Sequence, residues 1–170
     1  MQTRDEVKTA LQKAAIVIAA GADPKLVPDG GIRMGYALSG ARSADEVCSI
    51  VQNPPRIGFG NDPIIARVIL TIIRHDRSLR AVAGVRCTRK ILECITFDHA
   101  LDACLYAPAP PGSGTMDWSV ESCCRDGVPD VIYGQRIDEN TVILWIIGET
   151  PTDVARNIIM LSGSTTNTSL

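Results

Sequence analysis

The chain has 170 residues, of which 45% are apolar and 21% are charged, a composition typical of one packed domain and not of a disordered chain. Its net charge of −2 gives no bulk attraction to nucleic acid, and no run of about 18 apolar residues predicts a membrane span. We therefore expect a cytoplasmic protein with no nucleic-acid or membrane partner.

The first half of the chain predicts helices that alternate with short strands. Apolar side chains recur at helical spacing from Val7 to Ile18, which indicates an amphipathic helix that ends at Gly21. Acidic Asp5 and Glu6 stand where a signal peptide would be basic. The next predicted elements are a strand at 32–38, a helix at 42–51 capped by Ser43, a strand at 56–59 and a helix that begins at Pro63.

The second half continues the alternation, so the predicted class is α/β with helices covering a central sheet. The run at 142–147 has the length and apolar character of a strand buried on both faces. Residues 162–170 lack periodicity and predict a disordered tail after one domain at 1–161. The remaining predicted elements are a strand at 81–86, a helix at 88–94, a strand at 95–98, a helix at 115–127, a strand at 131–133 and a last helix capped by Thr150.

Six cysteines are spread along the chain without a Cys-x-x-Cys pair, so the sequence predicts no zinc site. We expect reduced and mostly buried thiols, with a redox role as the alternative. The six are Cys48, Cys87, Cys94, Cys104, Cys123 and Cys124.

Five arginines are concentrated at the end of the long apolar helix and on the strand that follows it. Arg80 and Arg86 flank an otherwise apolar strand, where an unpaired charge would be costly. Because the guanidinium fork matches phosphate oxygens, we expect these two side chains to point into one anion-sized hollow. The alternative is a solvated face on which Arg74 or Arg77 pairs with Asp76.

The sequence GFGNDP (58–63) stands directly before the apolar helix. The first turn of a helix offers free N–H groups to an anion, and glycines let a ligand approach the backbone. Gly58, Gly60, Asn61 and Asp62 are therefore candidate phosphate-binding residues. As an N-cap, however, Asp62 would compete with an anion for the same N–H groups.

Both histidines have an aspartate as a sequence neighbour. His75 precedes Asp76 and His99 follows Asp98, and a carboxylate beside a histidine tunes it as a base. Asp98 and Asp102 would share one helix face and then offer a Mg²⁺ site. Ordinary solvated side chains are the alternative for both pairs.

Six short motifs occur in a fixed order: GYALSGA (35–41), FGNDPIIARVIL (59–70), the spacing of Asp76, Arg80 and Arg86, FDH (97–99), TMDW (115–118) and VPDVIY (128–133). Together they resemble the archaeal ThiN-type thiamine-phosphate synthase domain over about residues 32–159. The resemblance implies a three-layer α/β/α fold with a mixed central sheet, similar to the class II aldolase type. It also implies the form of the domain that is not fused to a kinase or to a DNA-binding domain.

The family joins a hydroxymethylpyrimidine diphosphate to a thiazole phosphate, which gives thiamine phosphate and pyrophosphate. The resemblance implies that Arg80 and Arg86 are catalytic and neutralise the departing anion, with Mg²⁺ as a possible cofactor. The expected partners are small phosphorylated pyrimidine and thiazole ligands and, through the exposed edge of the sheet, a second copy of the chain. The ligand-binding candidates are Gly58, Gly60, Asn61, Asp62, Arg67, Asp76, Asp98, His99, Asp130 and Arg136.

The departures from the family pattern fall at polar positions. Gly134 stands where the family has a histidine, and the Gly-Lys-Glu turn that follows is absent from residues 134–140. Gly84 replaces the asparagine of an Asn-Ile-Arg stretch, and His99 replaces an arginine. These changes favour an altered ligand or a non-catalytic sensor or carrier as the alternative to the synthase. A structural module with a vestigial site is a third hypothesis.

Overall fold

The computed structural model describes residues 2–28, 31–51, 56–87, 101–105, 116–135 and 142–167, together with Ile91, Glu93 and Ile95. Its strands are β1 (Arg33–Ala37), β2 (Val47–Val51), β3 (Arg56–Phe59), β4 (Ala81–Cys87), β5 (Ala103–Leu105), β6 (Val131–Gln135) and β7 (Val142–Gly148). Its helices are α1 (Arg4–Gly21), α2 (Pro63–His75), α3 (Met116–Cys124) and α4 (Pro151–Asn167), with short 3₁₀ turns at Pro24–Leu26 and Ala44–Glu46. No helix within these residues is long and apolar enough to cross a membrane.

Across the described residues the strands form one mixed sheet in the order β3-β2-β1-β4-β7-β6-β5. Every neighbouring pair is antiparallel except β5 and β6, which run parallel. β4 and β7 lie at the centre and pair along their whole length, from Ala81 opposite Gly148 to Cys87 opposite Val142. With helices on both faces, the predicted three-layer arrangement with a mixed sheet is confirmed.

Side chains alternate between the two faces of β4 and so divide the core into two clusters. Ala81, Ala83 and Val85 face α1 and α4, where Leu11 and Ile158 are fully buried. On the opposite face, Val82 and its neighbours pack against α2 and α3. The broad apolar stripe of α2 therefore meets the sheet as its sequence predicts.

Gly35 of β1 lets α2 approach the sheet closely. A Cβ atom at this position would lie 2.8 Å from Ile69 Cδ1 and 3.2 Å from Ile65 Cγ2, which is closer than packed carbon atoms allow. The glycine thus fixes the distance between the sheet and the helix whose first turn is a candidate anion site.

The helix predicted at 42–51 is wrong, because residues 47–51 form β2 instead. The expected capping box does not form, because Ser43 makes no side-chain hydrogen bond to a first-turn amide; its Oγ donates instead to Glu46 Oε1 at 3.1 Å. This hydrogen bond closes only the 3₁₀ turn Ala44–Glu46. The β-branched residues after it favour a strand, and pairing with both β1 and β3 outweighs the local helix signal.

The tail expected from residue 162 is also wrong as far as Asn167, because α4 continues to that residue. Ser162 is buried, donates through Oγ to the Ile158 carbonyl at 2.9 Å and accepts from the Asp23 amide at 3.0 Å. Ser162 thus holds α4 against the segment after α1 through hydrogen bonds. Because this contact is polar, it leaves no apolar periodicity from which the sequence could predict the helix. In addition, Ile95, predicted as the start of a strand, is helical.

The expectation that the thiols are all reduced is corrected by a disulfide between Cys104 on β5 and Cys123 on α3. Their Cα atoms lie 5.8 Å apart, because α3 packs beside the edge strand that carries Cys104. Cys48, Cys87 and Cys124 remain thiols, and Cys94 lies outside the described residues.

We predict that reducing this disulfide lowers the free energy of unfolding by about 3 kcal/mol, because the bond closes a loop between residues 19 positions apart. Urea unfolding with and without dithiothreitol measures the difference. The double variant Cys104→Ser/Cys123→Ser is the control and should show no response to the reductant. Equal midpoints for the wild-type chain in both buffers would contradict the prediction.

Burial raises the pKa of the Cys48, Cys87 and Cys124 thiols from 9.0 to about 11. As the pH rises, these thiols lose their protons in the unfolded chain before they do so in the folded chain. Their contribution to the free energy of unfolding is therefore complete below about pH 9 and is lost as the pH rises towards 11. We therefore predict that the urea midpoint falls over this interval. A variant with alanine at all three positions should fall less steeply, and parallel profiles would count against the prediction.

Candidate functional site

Arg80 and Arg86 do not share a hollow, because they lie near opposite ends of β4. They are six positions apart along extended chain, or about 20 Å. Arg80 is half-buried, donates to Gln2 Oε1, the Ala37 carbonyl and the Tyr36 hydroxyl at 2.8–3.0 Å, and stacks 4.8 Å from the centre of the Tyr36 ring. Its guanidinium therefore joins the segment before α1 to the end of β1.

Arg80 precedes β4 and contacts Tyr36, whose side chain belongs to the cluster on the α1 face, whereas Arg86 lies on the other face of the sheet. By strand alternation it shares the α2 face with Val82 and Gly84, and it stands opposite Ile143 of β7. The side chain is half-buried. The hypothesis that the Arg80 and Arg86 guanidinium groups converge on one hollow is therefore wrong. Arg86 does lie on the face of the sheet that packs against α2.

Asp62 begins α2 in the way the sequence predicts. Its Oδ1 accepts from the Ile64 and Ile65 amides at 3.1 and 3.3 Å, and its Oδ2 lies 2.9 Å from Arg33 Nε. Asp62 is only 6% exposed, so its carboxylate occupies the first-turn amides that an anion would use. Asp62 is thus placed to cap the helix and to orient Arg33.

The glycine-rich turn before Asp62 returns the chain from β3 to α2. Gly60 has a φ of +74°, which favours glycine, and its amide donates to the Val47 carbonyl. Asn61 Nδ2 donates to the Ser49 carbonyl at 3.3 Å. These contacts give the turn a structural task, and ligand binding by its residues stays a prediction.

Arg33 is a site residue that sequence reasoning missed. It pairs with Gly84 across β1 and β4, and Arg86 stands two residues further along β4 on the same face. Such diagonal neighbours lie about 7–8 Å apart at the backbone, which is within the span of two guanidiniums on one phosphate. An arginine inside the apolar segment IRMGYAL (32–38) is the same signal that singled out Arg86.

Trp145 of β7 covers Gly84. A Cβ atom on Gly84 would lie 2.7 Å from Trp145 Cζ3, so the indole occupies the space that any larger residue would need. Trp145 Nε1 is buried without a hydrogen-bond partner, as is Ser49 Oγ, which shares this face because Ser49 pairs with Gly35. Unpaired buried donors are costly, and both of those found among the described residues lie on the face that carries Arg33 and Arg86.

Three other candidates lie away from Arg86. Asp76 accepts from the Ser78 hydroxyl and amide at 2.7 and 3.0 Å, and these hydrogen bonds hold the pKa of Asp76 below its usual range. Asp130 Oδ2 accepts from the Asp102 amide at 2.9 Å and so aligns the starts of β5 and β6. Arg67 is exposed on α2.

Several predicted site residues cannot be placed. Asp98, His99 and Arg136 lie outside the described residues, and so do residues 136–140 of the altered loop. The predicted Asp98 and Asp102 pair for Mg²⁺ therefore stays a prediction. Among the described residues, no group of three or more His, Cys, Asp or Glu side chains is arranged to share a metal ion.

A hollow of about 530 Å³ lies on the α1 face of β1 and β2. Its volume is within the range of small-molecule pockets. It is lined mainly by apolar side chains, including Ile18, Val27, Ile32, Met34 and Ile50. Among the residues that the structure describes, no charged side chain lines this hollow, so its described lining offers no charged donor to a phosphate group.

Comparison with known proteins gives the fold and the family. The C-terminal domain of protein MJ0236 superposes with a TM-score of 0.86 at 18% identity, covering 99% of this chain and 100% of that domain. The C-terminal domain of a phosphomethylpyrimidine kinase superposes with a TM-score of 0.82 at 23% identity, covering 94% and 100%. A class II aldolase domain from Thermoplasma acidophilum reaches a TM-score of 0.49 at 14% identity, covering 99% and 95%.

No curated protein matches the sequence. The family described as thiamine-phosphate synthase ThiN matches residues 10–160, which is most of the chain. The match includes β1, the turn into α2, and the central strands β4 and β7, which together carry the site described above. The chain therefore belongs to the ThiN family.

Proposed function

We propose that the chain is a thiamine-phosphate synthase that couples hydroxymethylpyrimidine diphosphate with a thiazole phosphate. The observation that carries this proposal is the juxtaposition of Arg33 and Arg86 on one face, beside the start of α2, in a chain that the ThiN family covers from residue 10 to 160. Two guanidiniums on neighbouring strands suit a diphosphate, whose oxygens need several fixed donors.

The chemistry requires charge stabilisation more than a nucleophile from the protein. The bond from the pyrimidine methylene to the diphosphate oxygen breaks, the diphosphate leaves with the electron pair, and the thiazole nitrogen forms the new C–N bond. Arg33 and Arg86 would neutralise the leaving diphosphate and hold it in line. Mg²⁺ would arrive with the diphosphate as its counter-ion, and we assign no residue to it.

The test is synthesis by the purified chain. Both substrates are incubated with protein and Mg²⁺, and thiamine phosphate is followed by chromatography and mass spectrometry. We expect product to accumulate in proportion to enzyme concentration. If circular dichroism shows folded protein and no product forms, the synthase proposal is overturned.

A second candidate is a non-catalytic sensor or carrier of a thiamine-type phosphate. It is favoured by the Trp145 indole over Gly84, at a position where the resemblance implies asparagine. A ligand that binds only the folded state raises its stability, so thiamine phosphate should raise the melting temperature even where no synthesis occurs. A melting temperature unchanged by millimolar thiamine phosphate would exclude this candidate.

A further inference from the structure

A second hollow, of about 340 Å³, lies at the far end of α2 from Asp62. It is formed between the loop that follows β1 and the C-terminal end of the helix. Its lining residues are Gly40, Ala41, Arg42, Ile73, Arg74 and Arg77. Since α2 separates this hollow from Arg33, the two features are distinct.

Three carboxylates lie near these arginines in sequence, and each has partners other than an arginine side chain of the hollow. Asp45 interacts with the Ser43 side chain and with the charge of Arg4. Asp76, the expected partner of Arg77, accepts from the amide and hydroxyl of Ser78. Glu46 accepts from the backbone amide of Arg42 and from the Ser43 hydroxyl through one oxygen.

Arg74 is the exception, because its Nη2 lies 4.0 Å from the Glu121 carboxylate at the rim. That carboxylate is shared with His75, whose Nε2 is 3.8 Å away. Within the described part of the chain, Arg42 and Arg77 form no ion pair with a carboxylate. The hollow thus carries an excess of positive charge.

The dipole of α2 accounts for only part of this cluster. A cation in the last turn of a helix is favourable, which explains Arg74. Arg77 lies beyond the helix end and Arg42 lies on a separate loop, so the dipole does not explain why both line the same hollow. Like charges at one site repel each other, and a bound anion would relieve this repulsion.

We propose that this hollow binds a small phosphate-bearing anion, with inorganic diphosphate as the probe. Arg42 and Arg77 approach from two separate elements and provide planar donor forks, while buried Ile73 and Ala41 contribute apolar lining between them. The proposal does not depend on the synthase activity, because the site lies at the other end of α2.

The test is isothermal titration calorimetry of the full-length chain with inorganic diphosphate, in an Arg33→Gln background that weakens the first site. We expect one bound diphosphate, and affinity about tenfold lower after Arg77→Gln or Arg42→Gln. The matched control is Arg156→Gln, which removes one exposed arginine from α4 and should leave the affinity unchanged. Circular dichroism confirms that each variant is folded.

Two outcomes would overturn the proposal. The first is the absence of diphosphate binding in the Arg33→Gln chain; where the wild-type chain does bind, this result would place the anion in the first site. The second is an equal loss of affinity in Arg77→Gln and Arg156→Gln, which would indicate attraction by overall charge. Neither of these results depends on whether thiamine phosphate is made.

Discussion

For the proposed synthase reaction, replacing Arg86 with glutamine is expected to lower kcat/KM by about 10²–10³, which is the usual loss when one fixed donor to a developing anion is removed. Glutamine keeps a hydrogen-bond donor but removes the charge, so the effect should appear mainly in kcat. Arg33→Gln should have a similar effect, because Arg33 on β1 stands diagonally across from Arg86 on β4 in the register of the two strands. Steady-state kinetics with both substrates measures the change.

The control for this prediction is Arg80→Gln, at the other end of β4. Arg80 bonds to Gln2, Ala37 and the Tyr36 hydroxyl, so its loss should lower the free energy of unfolding by about 1–3 kcal/mol. We expect kcat at a temperature well below melting to remain close to the wild-type value. A large loss of kcat in Arg80→Gln with none in Arg86→Gln would reverse our assignment of the site.

The sequence predicted the fold well where pattern and packing agree. The apolar run at 142–147 and the stripe after Asp62 correspond to β7 and α2, and Asp62 caps its helix as expected. It failed at β2, where the capping-box pattern of Ser43 and Glu46 favoured a helix and pairing across the sheet decided for a strand. Long-range pairing of this kind has no signal within a short window of sequence.

The site was predictable in its residue types and not in its geometry. Arg86 stood out because a charge in an apolar strand is costly, and Arg33 carries the same signal. The antiparallel register of β1 and β4 decides which arginines are neighbours. It places Arg33 opposite Gly84, two residues from Arg86, whereas Arg80 is six positions away from Arg86 along the chain. Register is set by the pairing of the whole sheet. The closeness of Arg80 and Arg86 in the sequence therefore suggested a shared site that the fold does not form.

Restoring a side chain at Gly84 is expected to lower the free energy of unfolding, because the Trp145 indole already occupies the space beside its Cα atom. Gly84→Ala places a methyl group 2.7 Å from Trp145 Cζ3, and overpacking of this kind costs about 1–3 kcal/mol. Gly84→Asn, which restores the residue implied by the family pattern, should cost at least as much. The matched control is Gly163→Ala in α4, where nothing lies within 4 Å of the added methyl group and helix propensity favours alanine.

A double-mutant cycle tests whether the indole is what fills the place of the missing asparagine. Trp145→Ala alone should cost about 3–5 kcal/mol through the cavity it leaves. Combined with Gly84→Asn, the total should fall short of the sum by about 0.5–3 kcal/mol, because the amide then occupies vacated space. Urea unfolding of the four chains gives this coupling energy. Strict additivity would mean that the stability effects of positions 84 and 145 are independent. The Trp145 indole over Gly84 would then no longer support an altered ligand.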